Sequence, residues 1–202
     1  DDATLRLLAA APAGMIQMEA GLQSFHGPTL EAVNRKTDLD RLCRNLRKLL
    51  APGNIHVHID LIAGLPYEDL ATFQSSFDKA YTLRPHMLQL GFLKLLHGSR
   101  LREQTAKYET VFEEKPPYTF LSGRWLGARE VRELHALEEA LDRLYNSGRF
   151  LWTLDYLLSV TRFSPFRLFW ALGQELKGLE GVSLESYTAR LLEAGPRLPG
   201  VE

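Results

Sequence analysis

The sequence predicts an α/β protein with parallel strands over its first half and an all-α region over its second half. Two segments alternate apolar and polar residues, as strands with one buried face and one polar face do; they span residues 15–23 and 55–62. The segments between and after them carry apolar residues at helical spacing. Strands that alternate with helices favour parallel pairing through right-handed crossovers.

The first region is predicted to span residues 1–107. Its predicted elements, in order, are a helix at 5–11, a strand at 15–23, helices at 28–35 and from about 37 to Pro52-Gly53, a strand at 55–62, a helix at 69–83 and a strand at 86–96. Three strands cannot close a barrel, which in the common form needs eight. We therefore expect the C-terminal half of a partial (β/α) barrel, preceded in a longer protein by further units.

The second region, residues 108–202, is predicted to be entirely helical. Lys115-Pro116-Pro117 forms a break, and helical patterns follow at 125–148, 150–160, 165–176 and 184–192. Aromatic residues are frequent among them. One hypothesis for this region is a non-catalytic helical docking module.

Composition limits the function classes. The chain has 202 residues and a net charge of -1, so no overall charge draws it to nucleic acid or to an anionic membrane. No apolar run approaches the ~20 residues that span a bilayer, and the first residues lack a signal-peptide pattern. Cys43 is the one cysteine, which excludes an intrachain disulfide and an iron–sulfur site built from this sequence alone. We expect a cytoplasmic protein.

Polar residues on the two alternating strands form the main candidate site. They are Gln17, Glu19 and Gln23 on the first strand and His56, His58 and Asp60 on the second. If the strands are parallel neighbours, these side chains share one face, and so many polar groups indicate a wet cavity. The alternative is a hydrogen-bonded polar layer inside a barrel. Polar residues at the carboxyl end of a strand that precedes a helix are typical of barrel active sites.

Two smaller features point to other chemistry. His56 and His58 lie on one side of a strand, a geometry that a metal-dependent hydrolase on a barrel fold could use if other strands supplied further ligands. Arg35 follows a strand, a loop and a helix, where its guanidinium could bind a carboxylate in a bidentate manner.

Three motifs in order resemble the second half of a radical S-adenosylmethionine (SAM) barrel: Gly21-Leu-Gln-Ser24, Val33-Asn-Arg35 and Ile59-Asp-Leu-Ile-Ala-Gly-Leu-Pro66. The pattern is similar to oxygen-independent coproporphyrinogen oxidase and to cobalamin-binding radical SAM proteins of the anaerobic magnesium-protoporphyrin IX monomethyl ester oxidative cyclase type. The helical region resembles the uncharacterised C-terminal domain of a bacterial subset of the cobalamin-binding group.

The resemblance implies roles in SAM binding for six residues. Gln23 matches a residue near the SAM ribose, Arg35 the arginine that holds the methionyl carboxylate, and Asp60 the acidic residue near the ribose hydroxyls. Ile62 and Ala63 match the backbone beside the adenine, and Glu19 lies at a cavity-facing position without an assigned role. Glu68 follows the Gly64-Leu-Pro turn one place later than the acidic or amide residue of some members.

The resemblance also implies groups that this sequence does not supply. The three-cysteine loop that binds a [4Fe–4S] cluster, the segment for the SAM amino group and any cobalamin domain would precede this chain. We therefore expect this chain to be inactive alone and to function together with the N-terminal half of the same protein. The complete enzyme would cleave SAM to a 5′-deoxyadenosyl radical and act on a small molecule of unknown identity.

Overall fold

The structure is a computed structural model that describes residues 2–179 and 181–201. The chain divides into two compact units, Asp1–Gly127 and Ala128–Glu202. The first unit contains a three-stranded parallel sheet with helices, and the second is helical. The predicted α/β class is confirmed, and the prediction of a helical region is confirmed for the second unit. The assignment of the first region to half of a barrel stays a prediction.

The elements of the first unit follow the predicted order. They are α1 (Asp2–Ala9), β1 (Ile16–Gln23), α2 (Gly27–Ala32), α3 (Leu39–Leu50), β2 (Ile55–Ala63), α4 (Leu70–Thr82), β3 (Met87–Phe92), α5 (Arg100–Glu103), α6 (Thr105–Tyr108), β4 (Val111–Phe112) and β5 (Phe120–Ser122). The predicted helix starts are confirmed by caps. Asp38 accepts a hydrogen bond from the Arg41 amide at 2.9 Å, and Asp69 accepts one from the Thr72 amide at 2.8 Å.

The three parallel strands lie in the order β1-β2-β3, with β2 in the centre. Ile16 is opposite Ile55 at the start of the first pair, and Ala63 is opposite Phe92 at the end of the second. One face of β2 is fully buried, and the helices α3 and α4, which pack on β2, bury Leu46, Leu49, Phe73 and Phe77. Full burial of one such side chain stabilises the fold by ~1.5–3 kcal/mol. The alternating pattern therefore places this core on one side of the sheet.

The third strand is shorter than the predicted span of 86–96. Past Phe92 the chain leaves the sheet and hydrogen-bonds to a later segment, since the Phe120 amide donates to the Leu93 carbonyl at 2.8 Å and the Leu95 amide to the Tyr118 carbonyl at 2.9 Å. An isolated bridge joins Lys94 and Thr119. The apolar residues of 86–96 therefore pair first with β2 and then with residues 118–120. Periodicity alone does not show where the first pairing ends.

Residues 111–122 correct the prediction that everything after residue 107 is helical. β4 and β5 pair in an antiparallel manner there, and the first compact unit extends through them to Gly127. Strands of two and three residues are too short to display a period of two. The predicted domain boundary after residue 107 itself stays a prediction.

The second unit contains helices that correspond to the predicted ones. They are α7 (Ala128–Leu141), a π-helical turn (Asp142–Asn146), α8 (Leu151–Thr161), α9 (Pro165–Glu175), α10 (Leu184–Ala194) and a 3₁₀ turn (Gly195–Arg197). Gly173 lets α9 approach α7 closely, because a Cβ on it would lie 2.7 Å from the Ala136 carbonyl oxygen. Among residues 2–179 and 181–201, no helix is long and apolar enough to cross a membrane.

Candidate functional site

The uncovered face of the sheet carries the predicted polar residues in register. Gln17 is opposite His56, Glu19 is opposite His58, and Asp60 is opposite Gln89 of β3. Residues opposite each other in paired strands project to the same side. The prediction that Gln17, Glu19, His56, His58 and Asp60 share one face is therefore confirmed. These five residues and Gln89 are called the polar sheet face below.

Gln23 departs from the predicted alternation. The register of β1 shifts between Ala20 and Gln23, so Gln23 is opposite Leu61 and not on the alternating polar row. Its backbone is left-handed, with φ of 71°, and Leu22 before it is buried. A bulge of this kind redirects side chains at the end of a strand. The alternating pattern of the sequence does not predict this turn, and the role of Gln23 in binding stays a prediction.

Arg35 is positioned by the end of α2. The Arg35 amide donates to the Leu30 carbonyl at 2.8 Å and the Asn34 amide to the Glu31 carbonyl at 2.9 Å, with Asn34 left-handed at φ of 57°. This pair of bonds is a Schellman motif, which asparagine can end in place of glycine. The motif returns the chain toward β1, and the Arg35 guanidinium donates a hydrogen bond to the Gly21 carbonyl.

Gly21 lies next to the side-chain ends of both Gln23 and Arg35. A Cβ added to Gly21 would lie 2.8 Å from Gln23 Nε2 and 3.6 Å from the Arg35 guanidinium. The amide and the guanidinium therefore converge on a position that only glycine leaves open. Arg35 is exposed, and it also lines a cavity of about 270 Å³ together with Asn34, Lys36 and Thr37. Sequence reasoning named Gln23 and Arg35 but missed Gly21 as the reason they can meet.

Asp60 is a half-buried carboxyl with an unused acceptor. Its Oδ1 is buried and has no hydrogen-bond partner among the residues that the structure describes. Burial raises the pKa of Asp60, the charge of Glu19 raises it further, and His58 opposes them. An unpaired buried acceptor costs free energy unless a ligand or water donates to it.

The other predicted SAM contacts, Ile62, Ala63 and Glu19, differ in how accessible they are from the polar sheet face. Ile62 is half-buried on the same face of β2, opposite Gly91 of β3. Ala63 is fully buried on the other face, and its carbonyl accepts from the Leu93 amide at 2.9 Å. The Ala63 side chain therefore cannot contact a ligand on the polar sheet face. Glu19 is exposed there beside His58.

The histidines lie toward the amino ends of the strands. The His56 ring centroid is 4.8 Å from those of His58 and His86, and burial together with these neighbours lowers the pKa of His56. The Val57 amide donates to His86 Nδ1 at 3.1 Å, which occupies that nitrogen. Across the described part of the chain, no three histidine, cysteine or acidic side chains are grouped to hold a metal. Among the described residues His56 and His58 therefore have no third ligand beside them, and the hydrolase hypothesis stays a prediction.

Comparisons with known proteins add limited information. The family described as "Protein of unknown function (DUF4080)" matches residues 106–187, less than half of the chain. No curated protein matches. Among solved structures, coproporphyrinogen III oxidase from Escherichia coli, described as a radical SAM enzyme, superimposes with a TM-score of 0.43 and 21% identity. The overlap covers 68% of this chain and 36% of that chain, so the chain spans about a third of that enzyme's length. So loose a superposition carries no weight for function.

Proposed function

We propose that this chain forms one side of the SAM-binding site of a radical SAM enzyme. The observation that carries the proposal is the convergence of Gln23 Nε2 and the Arg35 guanidinium over Gly21. The three ordered motifs that resemble radical SAM barrels contain these residues and Asp60. The sequence pattern and the side-chain geometry therefore support the same site independently.

The residues present fit the polar parts of SAM. Arg35 has N–H groups beyond the one it donates to Gly21, and a guanidinium binds a carboxylate through two parallel hydrogen bonds. Asp60 Oδ1 can accept from a ribose hydroxyl, which would satisfy an acceptor that is otherwise unpaired. The missing Cβ of Gly21 lets the Gln23 amide lie close to the Arg35 guanidinium, so that N–H donors of both side chains are near each other.

The residues present do not fit an iron–sulfur cluster. Cys43 is the single cysteine of the sequence, it lies in α3, and burial raises the pKa of its thiol. A [4Fe–4S] cluster is held by several thiolates, so another polypeptide segment must supply it. When bound beside such a cluster, SAM supplies radical chemistry that the protein itself cannot perform. Cobalamin dependence and a tetrapyrrole substrate are proposals that rest on sequence resemblance alone, and the docking role of residues 108–202 stays a prediction.

The test is SAM binding to the native protein that carries this chain, measured by equilibrium dialysis after anaerobic reconstitution with iron and sulfide. We expect Arg35→Ala and Asp60→Ala each to weaken SAM binding about 10-fold or more, because charge-assisted hydrogen bonds contribute ~1.5–3 kcal/mol. Arg44→Ala and Asp40→Ala, at exposed positions of α3, are matched controls that should bind as the wild type does. Unchanged affinity in both site variants, or no SAM binding by the wild type, would reject the proposal.

A further inference from the structure

A group of buried polar residues joins the loop after β1 to the loop after β2. Its members are Ser24, Thr29, Glu68 and Ser76, called the loop junction here, and each is at most 2% exposed. Ser24 directly follows Gln23, and Glu68 lies between the Gly64 turn and α4. Buried polar side chains are costly unless they hydrogen-bond to one another. The residue that follows Gln23 therefore belongs to a buried group of polar side chains.

Glu68 is the central acceptor of the loop junction. Ser24 Oγ donates to Glu68 Oε1 at 2.6 Å, and Ser76 Oγ donates to the same oxygen at 2.9 Å. Each serine in turn accepts from the backbone of the loop after β1. The His26 amide donates to Ser24 Oγ at 2.9 Å, and the Phe25 amide donates to Ser76 Oγ at 3.0 Å.

These bonds determine where the residues after Gln23 lie. Two consecutive backbone amides end on serine hydroxyls, and both hydroxyls are oriented by one carboxyl oxygen. Thr29 adds a second link, because its Oγ1 donates to the Pro66 carbonyl at 2.9 Å. The turn that carries Gln23 is therefore fixed to the loop after β2 through side chains that solvent does not reach.

Glu68 does not reach the ligand side of this turn. It is 1% exposed, and its Oε2 has no hydrogen-bond partner among the described residues. Burial raises the pKa of Glu68 to about 7, Ser24 and Ser76 oppose this effect, and Asp69 adds to it. The other titratable groups on these elements include His26 on the first loop and Asp78 and Lys79 of α4, and Lys79 Nζ lies 5.8 Å from the Phe25 ring centre.

We propose that Glu68 is a positioning residue for the candidate SAM site: through Ser24 and Ser76 it holds the turn that presents Gln23, and ionisation of its carboxyl loosens that turn. The ligand in this proposal rests on the proposed function, but the effect on the turn does not. Because Oε1 accepts from both serines, the proton of the neutral carboxyl lies on Oε2. Ionisation makes Oε2 a buried charged oxygen that has no donor among the described residues, and entering water must then supply one.

Amide hydrogen exchange of Phe25 and His26, measured by NMR on the 202-residue chain, tests the effect on the turn. Glu68→Ala removes the acceptor of both serines, and we expect both amides to exchange at least about 10-fold faster. Glu68→Gln keeps a carbonyl oxygen for both serines and should restore slow exchange. Glu114→Ala, at an exposed position, is the control. If Glu68→Ala prevents folding, Ser76→Ala gives the same readout for the Phe25 amide alone.

SAM affinity and its pH dependence test the positioning role. We expect Glu68→Ala to weaken SAM binding about 10-fold, with Glu68→Gln near the wild type at pH 6. Between pH 6 and pH 8 the wild type should lose affinity several-fold relative to Glu68→Gln, which has no proton to lose.

Three results would overturn the proposal: unchanged amide exchange in Glu68→Ala, fast exchange with unchanged SAM affinity, or a Glu68→Gln variant as weak as Glu68→Ala. If the wild type binds no SAM, the proposed function fails, and the exchange rates still decide whether Glu68 holds the turn.

Discussion

The loop junction and the polar sheet face each contain a carboxyl group, and the two differ in exposure and in hydrogen bonding. Glu68 at the junction is almost inaccessible and receives hydrogen bonds from two serines. Asp60 on the sheet face lies eight positions earlier, is half-buried, and has one oxygen without a partner among the described residues. Burial raises the pKa of both carboxyls.

The difference separates support from binding. A buried carboxyl oxygen that accepts from two serines fixes backbone positions and contributes to stability. An unpaired acceptor on a partly exposed side chain is stabilised only when something donates to it. The contrast teaches that a raised pKa alone does not identify the ligand-contacting residue here. Each carboxyl has one oxygen without a partner among the described residues. The exposure of the side chain and the two serine bonds to Glu68 Oε1 separate them, and they select Asp60 for contact and Glu68 for support.

The largest expected effect is the loss of stability in Glu68→Ala. The substitution leaves two buried serine hydroxyls without their acceptor and a small cavity, which together cost roughly 2–4 kcal/mol. Asp60→Ala should cost less than about 1 kcal/mol, because it removes an unpaired acceptor and the repulsion from Glu19. Native-state hydrogen exchange of the β2 amides at pH 5 measures both. Equal losses in the two variants would contradict the comparison.

The second expected effect is a pH dependence carried by Glu68. A carboxyl with a raised pKa binds protons more tightly when folded, so its contribution to stability is greatest below pH 4.5 and is lost as the pH rises to about 7. The difference between those values corresponds to about 3 kcal/mol. Glu68→Gln should abolish this loss while leaving the rest of the pH profile unchanged, as measured by β2 amide exchange from pH 5 to pH 8. Parallel profiles for the two proteins would show that Glu68 does not titrate in this range.

A smaller effect is expected from a substitution of Gly21 in the candidate site. Gly21→Ala places a Cβ 2.8 Å from Gln23 Nε2, which displaces the flexible amide from its position near the Arg35 guanidinium. We expect SAM affinity to fall roughly 3- to 10-fold while stability changes by less than about 1 kcal/mol, since only a side-chain end must move. Gly195→Ala is the matched control, because a Cβ there meets no atom within 4 Å and the residue lies in the second unit. Equal SAM affinity in the two alanine variants would mean that the arrangement of side chains at Gly21 does not contribute to SAM binding.

The smallest effect is expected at an ion pair on the exposed surface of α10. Arg190 and Glu193 of α10 form an ion pair of 2.7 Å with side chains 43% and 58% exposed. Exposed pairs of this kind contribute little because water and salt screen them, so Arg190→Ala should cost less than about 0.5 kcal/mol. Hydrogen exchange of the α10 amides at low and high salt measures it. A loss above about 1 kcal/mol would place this pair with the loop junction.

The sequence predicts features that depend on neighbouring residues. The alternation in β1 and β2 assigns Glu19, His58 and Asp60 to one face because the side-chain period of a strand is two. The caps Asp38 and Asp69 are predictable because a capping carboxylate bonds to an amide three residues later. The α/β class follows from these local patterns.

The rest depends on distant partners. The bulge that turns Gln23 is set by pairing with Leu61, and the junction contact of Ser24 with Glu68 spans 44 positions. Glu68 follows a glycine-proline turn, where a carboxylate is more commonly solvated. The β4–β5 hairpin is defined by pairing across a proline break. None of these three contacts has a local signature in the sequence, so only the folded chain identifies them.

The 44-position separation between Ser24 and Glu68 also has a kinetic consequence. The serine and the carboxyl can meet only after a long loop closes, and closure entropy delays such contacts during folding. Interactions that form after the transition state act mainly on the rate of unfolding. The lifetime of the folded first unit, more than the speed with which it assembles, should therefore depend on one carboxyl group that solvent does not reach.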